Sequence, residues 1–254
     1  DLCIYEIKHY RKRGLIPLLL SIMKIGCCGF PIAMEKYFKN FEVVEVQKTF
    51  YKPPSLETVK KWREFAPEDF EFTVKAWQLI THPPSSPTYR KAKLSVDDAG
   101  FFKPIKTVFE AWEVTREVSK ILKAKFILFQ TPRSFKECDE SVRNMKEFFN
   151  SIERDFIFGW EPRGWRSEVV RKVCEELSLI HVVDPFDSSP TWGELRYFRI
   201  HKNHSDEEIR SLLYKADYVM FNNPFMLRDA EKLKKWRDEV ERKNSENSER
   251  IRSK

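Results

Sequence analysis

Val43-Val44-Glu45-Val46-Gln47-Lys48-Thr49-Phe50-Tyr51 is the stretch whose reading decides the fold: a β-branched run carrying a carboxylate stops on polar and aromatic residues rather than on a plain turn. The same construction recurs along the chain. Phe70 to Trp77 carries Lys75, Phe126 to Gln130 ends on Gln130, Ile157 to Glu161 ends on Glu161, and Ile180 to Asp184 ends on Asp184. Tyr197 to His201 brings Arg199 and His201, and Tyr218 to Asn223 brings Asn222 and Asn223. Each apolar run reads as a buried strand that delivers a polar group at its carboxyl end. A fold that collects those ends collects the chemistry.

Working outward, the segments between the runs have helical spacing. Ile25 to Phe30 is the first strand and Met34 to Phe38 a short helix. Ser55 sits as an N-cap ahead of Val59, Trp62 and Phe65 on one apolar face. Ile105 to Leu122, Val142 to Ile152, Ser167 to Leu177 and Leu227 to Val240 repeat the helical pattern, and Ser205 with Glu208 has capping-box spacing. Eight strands alternating with mostly helical crossovers require parallel pairing, because parallel neighbours need long connections. The class is therefore α/β, and the chain is expected to close into a single (β/α)₈ TIM-like barrel with irregular crossovers. A long loop follows strand 3, Ile80 to Lys103, interrupted by Pro83, Pro84 and Pro87, of the kind that serves as a lid. An open doubly wound sheet is the rival, but Gly26-Cys27-Cys28-Gly29 is not its phosphate-binding fingerprint.

Prolines punctuate the strand ends. Pro83, Pro132, Pro162, Pro185 and Pro224 follow His82, Thr131, Glu161, Asp184 and Asn223, and proline cannot continue a ladder. The expected result is a set of stiff loops holding polar residues at one rim.

The chain divides into an N-terminal extension over residues 1–22, a barrel domain over 23–243 and a polar tail over 244–254 that is expected to fray. Leu15 to Ile22 is apolar but too short to span a membrane. Met23 reads as the natural start, with an amphipathic appendage packed on the barrel as the alternative. Hydrophobic residues make up 41% of the chain and charged ones 33%, which excludes disorder of the whole. The Lys and Glu richness points to a thermophilic source. A net charge of +7 favours phosphate-bearing partners without reaching the density of a dedicated nucleic-acid binder. Five cysteines form no ligand-like cluster, which suits a reducing, cytoplasmic setting and no membrane partner.

In a barrel the carboxyl ends of the strands face one mouth. Glu45 and Glu161 are then candidates for general acid and base, and His201 for a proton shuttle. Lys75, Arg163 and Arg199 are candidates for holding an anion, with His82, Gln130, Asp184, Asn222, Asn223, Tyr51 and Trp165 as further binding groups. The bland reading is an interior ion-pair network that closes the barrel top. A metal held by His82, His201, Asp184 and Glu161 is chemically permitted, but no ligand spacing supports it, and there is no organic cofactor motif. Cys28 reads as a small buried hydrophobe.

With these residues in place, the chain from Met23 to Trp236 resembles the YecE-like family of TIM-barrel proteins, domain of unknown function 72. The resemblance rests on Gly26-Cys27-Cys28-Gly29-Phe30, Val44-Glu45 with Thr49-Phe50-Tyr51, Phe72-Thr73-Val74-Lys75, and Ile80-Thr81-His82. It continues through Phe129-Gln130-Thr131-Pro132, Glu161-Pro162-Arg163 with Trp165, Tyr197-Phe198-Arg199-Ile200-His201, and Phe221-Asn222-Asn223. Departures fall at Cys28, Phe30, Gln47-Lys48, Thr131 and Lys202, where the family pattern has Ser, Trp, Asn-Ser, Pro and Gly. The resemblance implies a barrel and a mouth pocket but supplies no reaction.

Three functions follow as expectations. The first is a hydrolase or lyase using general acid/base chemistry on a phosphorylated, sugar-like or nucleotide-derived small molecule. A nucleic-acid-binding or processing protein is the second, from the charge and the lysine-rich segment Lys232 to Lys243. The third is a non-catalytic small-metabolite binder using the same pocket. The oligomeric state is left open.

Overall fold

The computed structural model describes residues 23–213 and 215–252; the expected N-terminal extension lies outside them. Eight strands form one parallel sheet: β1 (Lys24–Cys28), β2 (Val43–Val46), β3 (Glu71–Lys75), β4 (Phe126–Gln130), β5 (Ile157–Glu161), β6 (Ile180–His181), β7 (Tyr197–Ile200) and β8 (Tyr218–Phe221). Strands β1 to β6 pair in chain order, and β8 pairs with both β1 and β7. Helices fill the crossovers: α1 (Met34–Asn40), α2 (Lys48–Tyr51), α3 (Leu56–Phe65), α4 (Gln78–Thr81), α5 (Pro87–Ala92), α6 (Lys106–Ile121), α7 (Asp139–Ser151), α8 (Ser167–Glu176), α9 (Asp206–Arg210) and α10 (Met226–Arg252). The expected (β/α)₈ class is borne out. No helix among the described residues is long and apolar enough to cross a membrane.

Closure is weakest between β6 and β7. Their only bridge among the described residues joins Val183 to Phe198, with Arg199 N–H donating to the Val183 carbonyl at 2.9 Å. The loop before β7 intrudes here: His181 N–H donates to the Trp192 carbonyl at 3.2 Å. Gly193 makes that approach with a φ of +97°, and a Cβ there would stand 2.7 Å from Ile180 Cδ1.

Strand alternation sorts the core into an inside and an outside. The outward residues Ile127, Phe129, Phe158 and Trp160 pack against Trp112 of α6, Phe148 of α7 and Val170 of α8. The inward residues Val43, Phe126, Leu128, Val182, Tyr197, Tyr218 and Met220 fill the barrel. Three of those rings stack across its axis, Phe126 on Tyr197 at 4.4 Å between centroids and Tyr197 on Tyr218 at 5.2 Å. Below them, at the amino ends of the strands, Glu71 pairs with Lys24 and Lys125 and accepts from the Tyr218 hydroxyl. The barrel is thus a packed core with charge at both ends.

Both expected helix starts hold. The Ser55 hydroxyl accepts from Thr58 N–H, and Ser205 with Glu208 forms a complete capping box. The expected long crossover after β3 is present, though it is packed rather than loose: the short helices α4 and α5 lie in it, and Tyr89, Ala99 and Phe102 are buried. Pro87 opens α5 at its first turn, where a missing N–H costs nothing. Gly100, with φ +80°, brings the returning segment onto His82, whose carbonyl oxygen would lie 2.1 Å from any Cβ. The tail also differs, because α10 runs to Arg252, well past Val240 where apolar spacing stops. Its Lys-, Arg- and Glu-rich composition has good helix propensity without needing a buried face.

Gly159 sets the interior packing, since a Cβ there would stand 2.2 Å from Phe126 Cζ and 2.8 Å from Val182 Cγ2. Gly159→Ala should therefore destabilise the barrel by about 1–3 kcal/mol through overpacking. Thermal unfolding followed by circular dichroism checks it, and an unchanged Tm would refute the assignment.

Candidate functional site at the barrel mouth

Inward alternation on β7 places Tyr197, Arg199 and His201 on one face, rising from the core to the mouth. Arg199 is completely buried. Its guanidinium donates side-on to Glu45, with Nε to Oε2 at 3.1 Å and Nη2 to Oε1 at 2.9 Å. Nη1 donates to Glu161 Oε2, and Nη2 also lies 3.6 Å from Cys28 Sγ. One cation thus joins the ends of β1, β2 and β5 to β7.

Each carboxylate has further donors. Glu45 accepts from the Tyr197 hydroxyl at 2.8 Å and from the Gln47 amide. The Thr73 hydroxyl lies 2.8 Å from Tyr197 Oη, completing a Thr73–Tyr197–Glu45 chain. Glu161 Oε1 accepts from Arg163 Nη2 and from His201 Nε2, both at 2.8 Å, with Gln130 Nε2 at 3.5 Å. Asn222 Nδ2 faces His201 Nδ1 at 3.3 Å, and Arg163 Nη2 also lies 3.2 Å from His201 Nε2.

Electrostatics follow from this wiring. Burial alone would raise the Glu161 carboxyl, but Arg199, His201 and Arg163 overturn it and hold the group well below the usual carboxylate range. Burial likewise opposes the Arg199 charge, and Glu45 and Glu161 more than restore it, leaving the group raised. Lys75 has the opposite fate. Burial, reinforced by Arg199, brings its ammonium down to about 7, against a weaker pull from Glu45 and Glu161. Its Nζ donates to Gln130 Oε1 at 2.6 Å and lies 3.9 Å from the centre of the Phe50 ring. Helix α2 places that ring. The Thr49 hydroxyl lies 2.8 Å from the Val46 carbonyl and 2.7 Å from that of Lys75, tying the ends of β2 and β3 together.

The structure brings together Glu45, Glu161, His201, Lys75, Gln130, Arg163, Arg199 and Asn222. Asp184 supports them from behind: its carboxylate accepts from His201 N–H at 2.9 Å and Phe186 N–H at 3.1 Å. Four expected binding residues have other contacts. His82 is buried edge-on to Phe50 with Nδ1 on the Thr81 hydroxyl, and burial lowers it to about 3, so it is neutral at ordinary pH. Trp165 gives its indole N–H to the Phe135 carbonyl at 2.7 Å and stacks on that ring. Asn223 holds the start of α10 by accepting from Phe225 N–H at 2.8 Å, and donates to the Lys202 carbonyl at 2.9 Å. Tyr51 packs on Phe50 at the rim with the Lys91 ammonium over its ring. Sequence reasoning passed over Tyr197, Thr73 and Gln47 as site groups, and it took Phe50 only as a strand-end ring that could stack on a ligand. The signal was available for two of them, since Tyr197 and Thr73 stand two residues before Arg199 and Lys75 and share their inward face.

Arg199 fills the position between Glu45 and Glu161 that a metal would need, and among the described residues no three of His, Cys, Asp and Glu gather in a metal-binding group. An open hollow of about 600 Å³ lies at the opposite pole, lined by Leu179, Ile180, Thr191, Trp192 and Leu195. The converging ionisable groups are at the mouth, and chemistry rather than volume marks the site.

Fold and site together define a (β/α)₈ protein organised around a buried arginine–dicarboxylate cluster at its C-terminal mouth. The chain belongs to the family described as Protein of unknown function DUF72, which matches residues 31–250. It is similar to a DUF72 family protein from Thermotoga maritima, with 21% identity, a TM-score of 0.61, and 84% of this chain and 98% of that chain covered. A DUF72 family protein from Enterococcus faecalis gives 19% identity, a TM-score of 0.62, and coverage of 84% and 96%. Endonuclease IV from Thermus thermophilus shares the fold at 9% identity and a TM-score of 0.50, covering 85% of this chain and 99% of its own. No curated protein matches.

Arg199 and Lys75 should respond oppositely to removal. Arg199→Met leaves two buried carboxylates facing each other and should cost about 3–5 kcal/mol. For Lys75, the folded state releases its proton near pH 7 whereas the unfolded chain holds it to about 10.4. Unfolding takes up a proton between those values, so this group's contribution to stability rises with pH across that window. Lys75→Met should thus raise Tm at pH 6, with the gain shrinking toward pH 10. A Tm below wild type at pH 6 would contradict the assignment.

Proposed function

We propose that the chain is an enzyme, a hydrolase or lyase, that carries out general acid/base chemistry on a small anionic compound at the barrel mouth. Phosphorylated, sugar-like and nucleotide-derived molecules form the candidate class. The observation that carries this reading is the division of labour among the charges. Arg199 neutralises Glu45 and Glu161 in the interior, while Lys75, buried beside them, is left to Gln130 and the half-buried Arg163 stands at the edge of the cluster. A structural network would need only the first three.

Roles follow from the wiring. Lys75 titrates near neutrality, which suits a group that takes and returns a proton. Glu161 stays ionised, so its place is to orient His201 and Arg163 rather than to act as an acid. Arg163, at the surface of the cluster, suits an anionic group on the substrate. Gln130, touching both Lys75 and Glu161, fixes their separation. The reading places the chain in the cytoplasm, which the unpaired Cys27, Cys28, Cys138 and Cys174 support.

A panel of sugar phosphates and nucleotide esters, followed by phosphate release and product mass, tests the proposal. Turnover should fall by about 100-fold or more in Lys75→Met with the fold retained, and should rise with pH through about 7 as the Lys75 amine is freed. Turnover that is indifferent to Lys75 would exclude the assigned role. The net charge of +7 supports a second reading, a mouth that accepts a phosphodiester of nucleic acid. Oligonucleotide binding with a steep salt slope would favour that reading, and salt-insensitive or absent binding would remove it.

A further inference from the structure

Lys75 is a buried cation without a carboxylate of its own. At the end of β3 it points into the barrel and is 6% exposed. Among the described residues no carboxylate lies within 4.0 Å of its Nζ, because Glu45 and Glu161 are both turned to Arg199. An ammonium has three protons to place, and among the described residues this one meets a single acceptor, Gln130 Oε1, with a ring face beside it. A neutral amine fits better. It donates one hydrogen to Gln130 and keeps its lone pair free.

We propose that Lys75 is a covalent catalytic amine, which captures an aldehyde or ketone carbonyl of the substrate as an imine while Arg163 holds the substrate's anionic group. This rests on the anionic-substrate reading above and narrows it to carbonyl compounds and to lyase chemistry. The amine nitrogen attacks the carbonyl carbon, a C–N bond forms, and the π pair moves to oxygen. One proton passes from nitrogen to that oxygen, giving a carbinolamine. The remaining N–H proton is then transferred to the same oxygen as the C–O bond breaks and the nitrogen lone pair forms the C=N bond, so water leaves and amine and carbonyl give imine and water. Hydrolysis reverses the sequence and frees the lysine. The protonated imine draws electrons from a bond at the neighbouring carbon, which is why such an amine serves bond cleavage beside a carbonyl.

The surroundings favour this use. Facing Lys75 are Arg199 on β7, Glu45 on β2, Glu161 on β5 and Cys28 on β1, with His82 beyond Phe50. Burial and Arg199 bring the ammonium down to about 7, so the amine is freed much nearer neutral pH than that of an ordinary surface lysine, whose usual value is about 10.4. Gln130 is itself held by Glu161, so its oxygen is aimed at Lys75.

Trapping on the full wild-type chain tests the proposal. The protein is incubated briefly at pH 7 with glyceraldehyde 3-phosphate and cyanoborohydride, which reduces the imine to a stable secondary amine, and the sites are mapped by peptide mass spectrometry. Lys75 should label at least about tenfold faster than any surface lysine, with excess inorganic phosphate slowing it. Lys75→Arg, which keeps the charge and removes the nucleophile, should lose that adduct alone. Labelling of Lys75 no faster than surface lysines overturns the imine. If phosphate binds calorimetrically and Arg163→Ala weakens it while Lys75 stays unlabelled, the imine falls and the anion site stands. If Lys75 labels without phosphate protection, the imine stands and the anion site falls.

Discussion

The Arg199 guanidinium, shared between Glu45 and Glu161 with no access to water, is the interaction on which the rest of the mouth depends. Removing three charges from solvent is costly, and their mutual attraction offsets that cost only when every donor and acceptor is placed. Here each carboxylate has a second set of donors: Tyr197 and Gln47 on Glu45, Arg163 and His201 on Glu161. Those donors come from strand ends and the loops that follow them. The cluster therefore specifies a single register for the mouth, in the way that a satisfied buried polar network does.

One consequence is the isolation of Lys75. With both carboxylates committed to Arg199, the other buried cation of the mouth, Lys75, meets Gln130 and Phe50 among the described residues. The same guanidinium that keeps Glu161 ionised pushes the lysine toward neutrality. Burial is the larger cause of the lysine's shift, with Arg199 adding to it, while His201 and Arg163 help Arg199 at Glu161; the resulting opposite protonation tendencies in adjacent groups are what acid/base sites require. The lower cluster around Glu71 shows the contrast: there one carboxylate meets two lysines and a tyrosine, and the amino-terminal end is simply sealed.

Two of the positions where the chain departs from the YecE-like pattern touch this cluster. Cys28 presents sulfur to Arg199, and Gln47 donates to Glu45. Both substitutions keep a group of moderate polarity against the charge while changing its reach. Two further departures, Phe30 and Thr131, serve packing and support: Phe30 meets Tyr37 edge-on, and the Thr131 hydroxyl accepts from the Trp160 indole at 3.1 Å.

Local pattern was enough to settle the alternation of strands and helices, the parallel barrel and the strand-end positions of Glu45, Lys75, Gln130, Glu161, Arg199 and His201. Those properties are written in period-two runs, N-caps and prolines that act within a few residues. The chain's likeness to its family was legible separately, in short motifs such as Glu161-Pro162-Arg163 and Phe221-Asn222-Asn223 that resemble the family pattern. Partnership was not. That Arg199 would take both carboxylates, that Lys75 would be left to Gln130, and that Asn223, Trp165 and His82 would be spent on packing and backbone depend on groups far apart in the chain. The sorting of Asn222 from Asn223 shows the reason: adjacent residues with the same side chain point to opposite sides, one to His201 and one to the start of α10. Strand ends decide that a polar group reaches the mouth, and only closure of the barrel decides which other group it meets there.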